Sequence, residues 1–462
     1  MAVELRTTMQ GNAQKLAPAY SDIVIYAEGI PQNIIDTGYN VKYQCRVAIN
    51  GVLVVVLKAP VDSNGKAIFR ISSILQDYTE TDKSGYDVDL VYSRFNGNTM
   101  QNSNHAIHQI DKYARNRNNL NNCICLGGYE YSTTTSGTII ESLSLSSDVN
   151  FNFFNSVLQH KAGYSTEDFS DYLLTSTSKS FLSKLPNTSQ KIQLGQYHTV
   201  SFLNGKHYLD SEVTSVKIER FDNNNSSLGV VTINNTEANG GAPFGSVITG
   251  NFVTQTSNTE EGLLYFGCGT ANIANLGYYL ANVAYYTVAA YNDTTRVSKE
   301  YRFDIVDADC KGFETIRLAF LNSLGAWDYY NFTKKSIRKT QINKTAIKQN
   351  YGTTPFQSTT YFGDVLNYDY YNQGTYDGGT RAFNVNAIET IEANTDFITE
   401  DEAAILEELF LSPDVYMQTG DVFEPVVINE TEYIKQTTAN DMLKQYIITI
   451  EKGHNTRVQR LW

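Results

Sequence analysis

An Asn-Gly pair between two β-forming runs constrains this chain more than any other local feature. Tyr43, Cys45, Val47 and Ile49 alternate with Lys42, Gln44, Arg46 and Ala48, Asn50-Gly51 follows, and Val52-Leu53-Val54-Val55-Val56-Leu57 runs straight out. A two-residue hairpin turn needs positive φ at both central positions, which Asn and Gly adopt at low steric cost. The segment is therefore predicted as an antiparallel hairpin, with a strand before it that is buried on one face.

The same turn signal recurs at Asn64-Gly65, before Lys66-Ala67-Ile68-Phe69-Arg70-Ile71, and at Asn96-Gly97, after Val88-Asp89-Leu90-Val91-Tyr92. Composition extends the argument to the whole chain. The 32 Tyr and 22 Phe against 8 Pro favour strands, because aromatic side chains suit a pleated, half-buried surface. The fold class expected is mainly β: several antiparallel β-sandwiches, immunoglobulin- or fibronectin-like, and a C-terminal β-rich domain carrying one short helix.

The 462 residues have room for about three domain-sized cores, and their patterning divides them into four segments. Residues 1–118 read as an N-terminal β-sandwich, with 101–118 left open between a short helix and a long connection. Residues 119–209 read as a second, mixed β domain. Residues 210–310 carry sandwich features, including Val216–Phe221 and the pair Tyr285–Tyr291 and Tyr301–Val306 around Asn292-Asp293-Thr294-Thr295. Residues 311–462 read as a C-terminal β-rich assembly domain with a Tyr/Gly-rich loop at 340–380. Here Ile316–Leu321 turns through Asn322–Ala326 into Trp327–Phe332, and Thr399-Glu400-Asp401-Glu402 forms a capping box. Ile405, Leu406, Leu409 and Phe410 make one apolar helical stripe, which Ser412-Pro413 ends.

Charge narrows the function classes. With 36 Lys and Arg against 49 Asp and Glu, the net charge of −13 disfavours nucleic acid and anionic membrane as general partners. The opening residues lack a signal-peptide apolar stretch, and the longest apolar run, Val52–Leu57, is far short of a bilayer span, so no membrane insertion is expected. The five cysteines are odd in number and scattered, so they are expected reduced and buried, with Cys123 and Cys125 on one strand face.

No phosphate-cradling loop, zinc-protease helix or nucleophile elbow occurs, and no enzyme activity, metal or cofactor is assigned. His105 and His108 lack a third ligand nearby. Two carboxylates brought together from distant strands, as in a polysaccharide-degrading enzyme, carry no local signature, so that reading stays as the least favoured. Lys334, Lys335, Arg338 and Lys339, continued by Lys344 and Lys348, form a run without an acidic residue. It is a candidate contact patch, read as solvated or paired with an acidic neighbouring subunit in preference to nucleic acid. Tyr361, Phe362, Tyr368, Tyr370, Tyr371 and Tyr376 lie in a Gly-punctuated stretch with little apolar sequence to bury them. They are candidates for an interface, or for stacking on sugars.

The segment from Ile316 to Phe332, together with Leu411-Ser412-Pro413-Asp414-Val415-Tyr416 and, more loosely, Ser73-Ile74-Leu75-Gln76-Asp77-Tyr78, resembles structural proteins of tailed-bacteriophage virions. The resemblance implies a tail or baseplate building block, made in the host bacterial cytoplasm and residing in the virion tail. Its implied partners are itself, as a ring or trimer, and other tail proteins. The alternative is a tail protein that binds host surface glycans through its Tyr-rich segment. No catalytic motif accompanies the resemblance, and Trp327 and Asp328 are expected to be structural.

Overall fold

The computed structural model describes residues 3–7, 16–79, 115–117, 120–135, 137–158, 169–204, 211–236, 252–253, 262–275, 280–306, 313–349, 379–398, 400–420, 422–429, 445–454 and 456–457. These form mainly β structure, in antiparallel sheets with a few short helices. No helix among them is long and apolar enough to cross a membrane.

The hairpin at Asn50-Gly51 forms as its sequence dictates. Tyr39–Ile49 pairs antiparallel with Val52–Pro60, and Asn50 and Gly51 take φ of 49° and 80°. Its sheet then draws on distant sequence. Asn121–Ser132 pairs along Tyr39–Ile49, Ile139–Phe154 pairs along Asn121–Ser132, and Leu16–Pro18 adds a parallel edge. Strands that sequence patterning assigns to a second domain beyond residue 118 therefore complete the sheet of the first. At Gly65, with φ of 73°, the chain turns but does not fold back on Val52–Pro60. Ala67–Arg70 instead pairs with Val24–Glu28, in a second sheet with Glu4–Thr7. The two sheets share a core that includes Leu5, Ile25 and Phe69 from one and Tyr43, Val47, Cys125 and Phe151 from the other. The pair Asn96-Gly97 lies outside the described residues.

A ten-stranded sheet follows, centred on Ser215–Phe221 between Ser227–Thr236 and Tyr285–Asn292. Tyr301–Ile305 pairs on Tyr285–Val288, as the sequence predicts for that hairpin, while Gln190–Ile192 closes the edge in parallel. At the far side Thr199–Asn204 pairs with Gly262–Gly267. Phe202 and Phe266 from that side share one core with Ile218, Tyr286 and Val288, so the sheet curls over on itself.

The last sheet has eight strands and begins with the predicted hairpin, Ile316–Leu321 against Trp327–Phe332. The helix Glu400–Leu411 buries Ala403, Ile405, Leu406 and Leu409 against Leu318, Phe320 and Ile391. Thr399 of its capping box lies outside the described residues. The stretch expected to open as a loop at 340 is strand there. Ile337–Gln349 pairs along its whole length with Gly379–Asn394, because Thr340, Ile342, Thr345 and Ile347 keep the backbone β-disposed.

Candidate functional site

Besides a carboxylate pair on the Tyr39–Ile49 sheet, described below, two places gather polar and charged side chains. One is buried beneath the hairpin Ile316–Phe332, and the other is the ribbon formed by Ile337–Gln349 and Gly379–Asn394.

In the first, the turn is tied by Asn322, whose Oδ1 accepts from the backbone N–H of Leu324 and of Ala326, at 3.0 Å each. Gly325 has φ of 76°, and a Cβ there would sit 1.9 Å from the carbonyl oxygen of Asn155, so both dihedral and space require glycine. Beyond the turn, Asp328 is 1% exposed. Its carboxylate accepts from Ser183 Oγ at 2.5 Å, the Lys184 backbone N–H at 3.0 Å and Asn322 Nδ2 at 2.8 Å. Burial nevertheless pushes its carboxyl up to about 6, the three hydrogen bonds offsetting only part of the desolvation. Trp327 is buried with Tyr416 edge-on against it.

Arg317 interrupts the otherwise apolar strand Ile316–Leu321 and is itself buried. Nε and Nη2 donate to the Tyr197 carbonyl at 3.2 and 2.8 Å, and Nη1 donates to Asn331 Oδ1 at 3.0 Å. Nη2 also lies 3.1 Å from His198 Nδ1, which must accept, so the imidazole is neutral with its proton on Nε2. Burial first, and the guanidinium second, hold His198 well below the ordinary histidine range. Burial also lowers Arg317, to about 10, which leaves it charged at neutral pH. Tyr329 lies under the guanidinium and shares a 2.9 Å hydroxyl contact with Thr199. These groups join the middle of the chain to its last sheet. With Arg317, His198, Asp328 and Tyr329 all at most 4% exposed, they fix that seam from inside the protein. Sequence reading passed over Arg317 and His198; an arginine within an apolar strand was the available signal.

A carboxylate pair lies on the sheet of Tyr39–Ile49, where Glu130 and Glu141 are directly opposite. Lys58 lies 2.5 Å from Glu130 and 4.0 Å from Glu141, Gln44 donates to both, and Arg46 reaches Glu141. Desolvation raises the Glu130 carboxyl, but Lys58 and Gln44 outweigh it and hold the group below its ordinary value. Glu130 is therefore held ionised and does not supply the proton that acid-assisted glycoside cleavage needs. Cys45, Cys123 and Cys125 are buried thiols, with Cys123 and Cys125 Sγ 3.9 Å apart on one strand face. Among the described residues, no group of three His, Cys, Asp or Glu side chains has metal-binding geometry. His105 and His108 lie outside them.

The ribbon carries the basic run. Its inner half is neutralised within the chain. Arg338 forms a fork with Glu314 at 2.7 and 2.8 Å and meets Glu389 at 3.2 Å, Lys339 pairs with Glu392, and Lys334 reaches Asp396 at 3.4 Å. Lys335 supplies its carbonyl to Asn394 Nδ2. The sequence offered solvation or an acidic neighbouring subunit as the answer to these charges; for Arg338 and Lys339 it is Glu389 and Glu392 of the same chain, set beside them by cross-strand register, with Glu314 also on Arg338, and for Lys334 it is Asp396. Tyr361, Phe362, Tyr368, Tyr370, Tyr371 and Tyr376 fall in the connection between the two ribbon strands, outside the described residues.

No family model matches the chain, and no curated protein matches it significantly.

Proposed function

We propose that the chain is a structural component of a tailed-phage virion, a tail or baseplate protein that assembles with copies of itself and with neighbouring tail proteins. The observation that carries this reading is the ribbon. From Thr340 to Lys348 and from Gly379 to Ile388 no residue is buried, and among the described residues most of this length has no third strand beside it. A two-stranded ribbon is marginally stable alone in water, so a sequence that maintains one this long has a use for it in contact with something else. The resemblance of Ile316–Phe332 to tail proteins gives that contact its setting, and the locked interior polar groups suit a building block better than a catalyst.

The test is the molar mass of the purified protein in solution, paired with mass spectrometry of purified parent particles. A stoichiometric particle component that self-associates as a ring or trimer is expected. A monomer absent from particles overturns the proposal.

A further inference from the structure

The five-stranded sheet of Tyr39–Ile49 ends on an edge that carries little to guard it. Val52–Pro60 pairs on one side with Tyr39–Ile49, and among the described residues, which run unbroken around it from 16 to 79, no strand pairs with its other side. A long edge strand offers a row of backbone donors and acceptors to other chains, and proteins blunt such edges with charge, proline or a bulge. The ribbon strand Ile337–Gln349 is blunted in this way by Lys339, Lys344 and Lys348. Val52–Pro60 carries one charge, Lys58, and Glu130 holds it at 2.5 Å, back across its own sheet. The bulge lies at Val54 and the proline ends the strand at residue 60, so Val55–Ala59 remains between them as a regular, mostly apolar edge opposite Tyr43–Val47.

The core is unfinished at the same place. Tyr43, Cys45 and Val47 are fully buried, whereas Val55, Leu57 and Ala59 opposite them pack against the same core and stay partly exposed, and Val52 and Leu53 are 67% and 54% exposed. Whatever covers them must bring an apolar edge of its own. A second copy does so, and a two-fold axis sets the two strands antiparallel, the sense in which an edge pairs with itself. Charge selects the register. Centring the pair on Lys58 would set lysine against lysine, whereas centring it on Val56 sets Val55 opposite Leu57 and parts the two lysines by four positions, about 13 Å.

We infer that Val52–Pro60 pairs antiparallel with the same strand of a second copy, centred on Val56, so that the two five-stranded sheets join into one continuous sheet. The contact is isologous and closes a dimer, which a larger assembly can contain as one of its contacts. It goes beyond the proposed function and does not depend on it.

The test uses the full chain as wild type, Val56→Glu and Val56→Lys, with circular dichroism verifying that each variant is folded. Val56 lies opposite Arg46 on the face of the sheet turned away from the core, so a charge there spares the interior. Sedimentation across concentration should give a dimer for the wild type, little weakened between about 0.1 and 1 M salt because the contact is apolar. Each variant alone sets like charges together at the axis and should raise the dissociation constant by roughly tenfold or more. An equal mixture of the two should dimerise again, because glutamate then meets lysine. Hydrogen exchange of the wild type reads the same contact without any substitution: the amides of Val55–Ala59 should gain protection as concentration rises through the range of dimerisation. A wild type that stays monomeric at every concentration overturns the inference, as do variants that dimerise like the wild type. Edge amides that are equally protected in the monomer also overturn it, because the chain then covers this edge itself. In each of these cases mass spectrometry of purified particles decides the particle reading separately.

Discussion

At the scale of single residues, the seam between the middle of the chain and its last sheet makes stability depend on pH in two opposed ways. Asp328 has its folded value raised to about 6 against an ordinary 3.8, so the folded state binds the proton more tightly than the unfolded chain does. Its contribution is complete below about pH 4 and is lost as pH rises through about 6, a loss of about 3 kcal/mol for a shift of this size. In Asp328→Asn the titration is gone. The stability difference between variant and wild type should therefore move in the variant's favour by about 3 kcal/mol from pH 4 to pH 7, whatever its offset from replacing a carboxylate oxygen by an amide. Urea unfolding at four pH values measures this, and a difference that stays constant with pH refutes it. His198 acts in the other direction. Its folded value lies well below 6.5, so it contributes above that pH and the contribution is lost as the unfolded state takes up protons below it. His198→Asn retains an acceptor for Arg317, and its melting temperature should fall less steeply than that of the wild type between pH 6.5 and 5. An unchanged slope in thermal melts counts against this assignment.

At the scale of elements, the turns show what sequence can and cannot disclose. Gly51 and Gly325 both have positive φ, but an added Cβ at Gly51 meets nothing within 4 Å, whereas at Gly325 it meets the Asn155 backbone. Gly51→Ala should cost only the backbone preference, about 1 kcal/mol. Gly325→Ala adds a displacement of main chain and should exceed about 3 kcal/mol. Chemical denaturation of the two variants tests the ordering, and equal losses would show that the approach of Asn155 is not a constraint. Both hairpins were legible because everything that specifies them lies within about 20 residues: alternation, turn chemistry, alternation again. The helix Glu400–Leu411 was legible for the same reason, from its apolar stripe and its Ser-Pro stop. The partnership of Tyr39–Ile49 with Asn121–Ser132 was not, because alternation specifies a face and leaves the neighbour open. Arg317 and His198 stand 119 residues apart, and neither position alone calls for the other. The basic run was legible as charge, but its pairing with Glu389 and Glu392 depends on a register set by a connection of about 30 residues.

At the scale of the whole molecule, the interior ties the C-terminal sheet to what precedes it. Trp327, Tyr329 and Leu324 pack in one cluster with Phe154, Phe169, Leu182, Tyr197 and Leu263, so the hairpin's inner face is covered by residues from earlier in the chain. Asp328 and Arg317 point the same way, since Ser183, Lys184, Tyr197 and His198 supply their partners. Cutting the chain at the boundary that sequence patterning places at 310/311 would expose the indole of Trp327 and leave a carboxylate and a guanidinium without these partners. Each apolar side chain uncovered forfeits about 1.5–3 kcal/mol, and a domain's whole stability is only about 5–15 kcal/mol. Residues 311–462 expressed alone should therefore lack a cooperative thermal transition, while in the full chain the buried Trp327 should report unfolding of the last sheet together with the ten-stranded one. Fluorescence melts compared with far-ultraviolet dichroism test this: coincident curves for the full chain, and a featureless slope for the fragment, are expected. A fragment that melts sharply would show that the last sheet holds its own core without the seam. The charged seam would then be a docking contact between finished domains. Coincident melting would instead make it part of one cooperative body, a rigid base from which the ribbon can reach a neighbour.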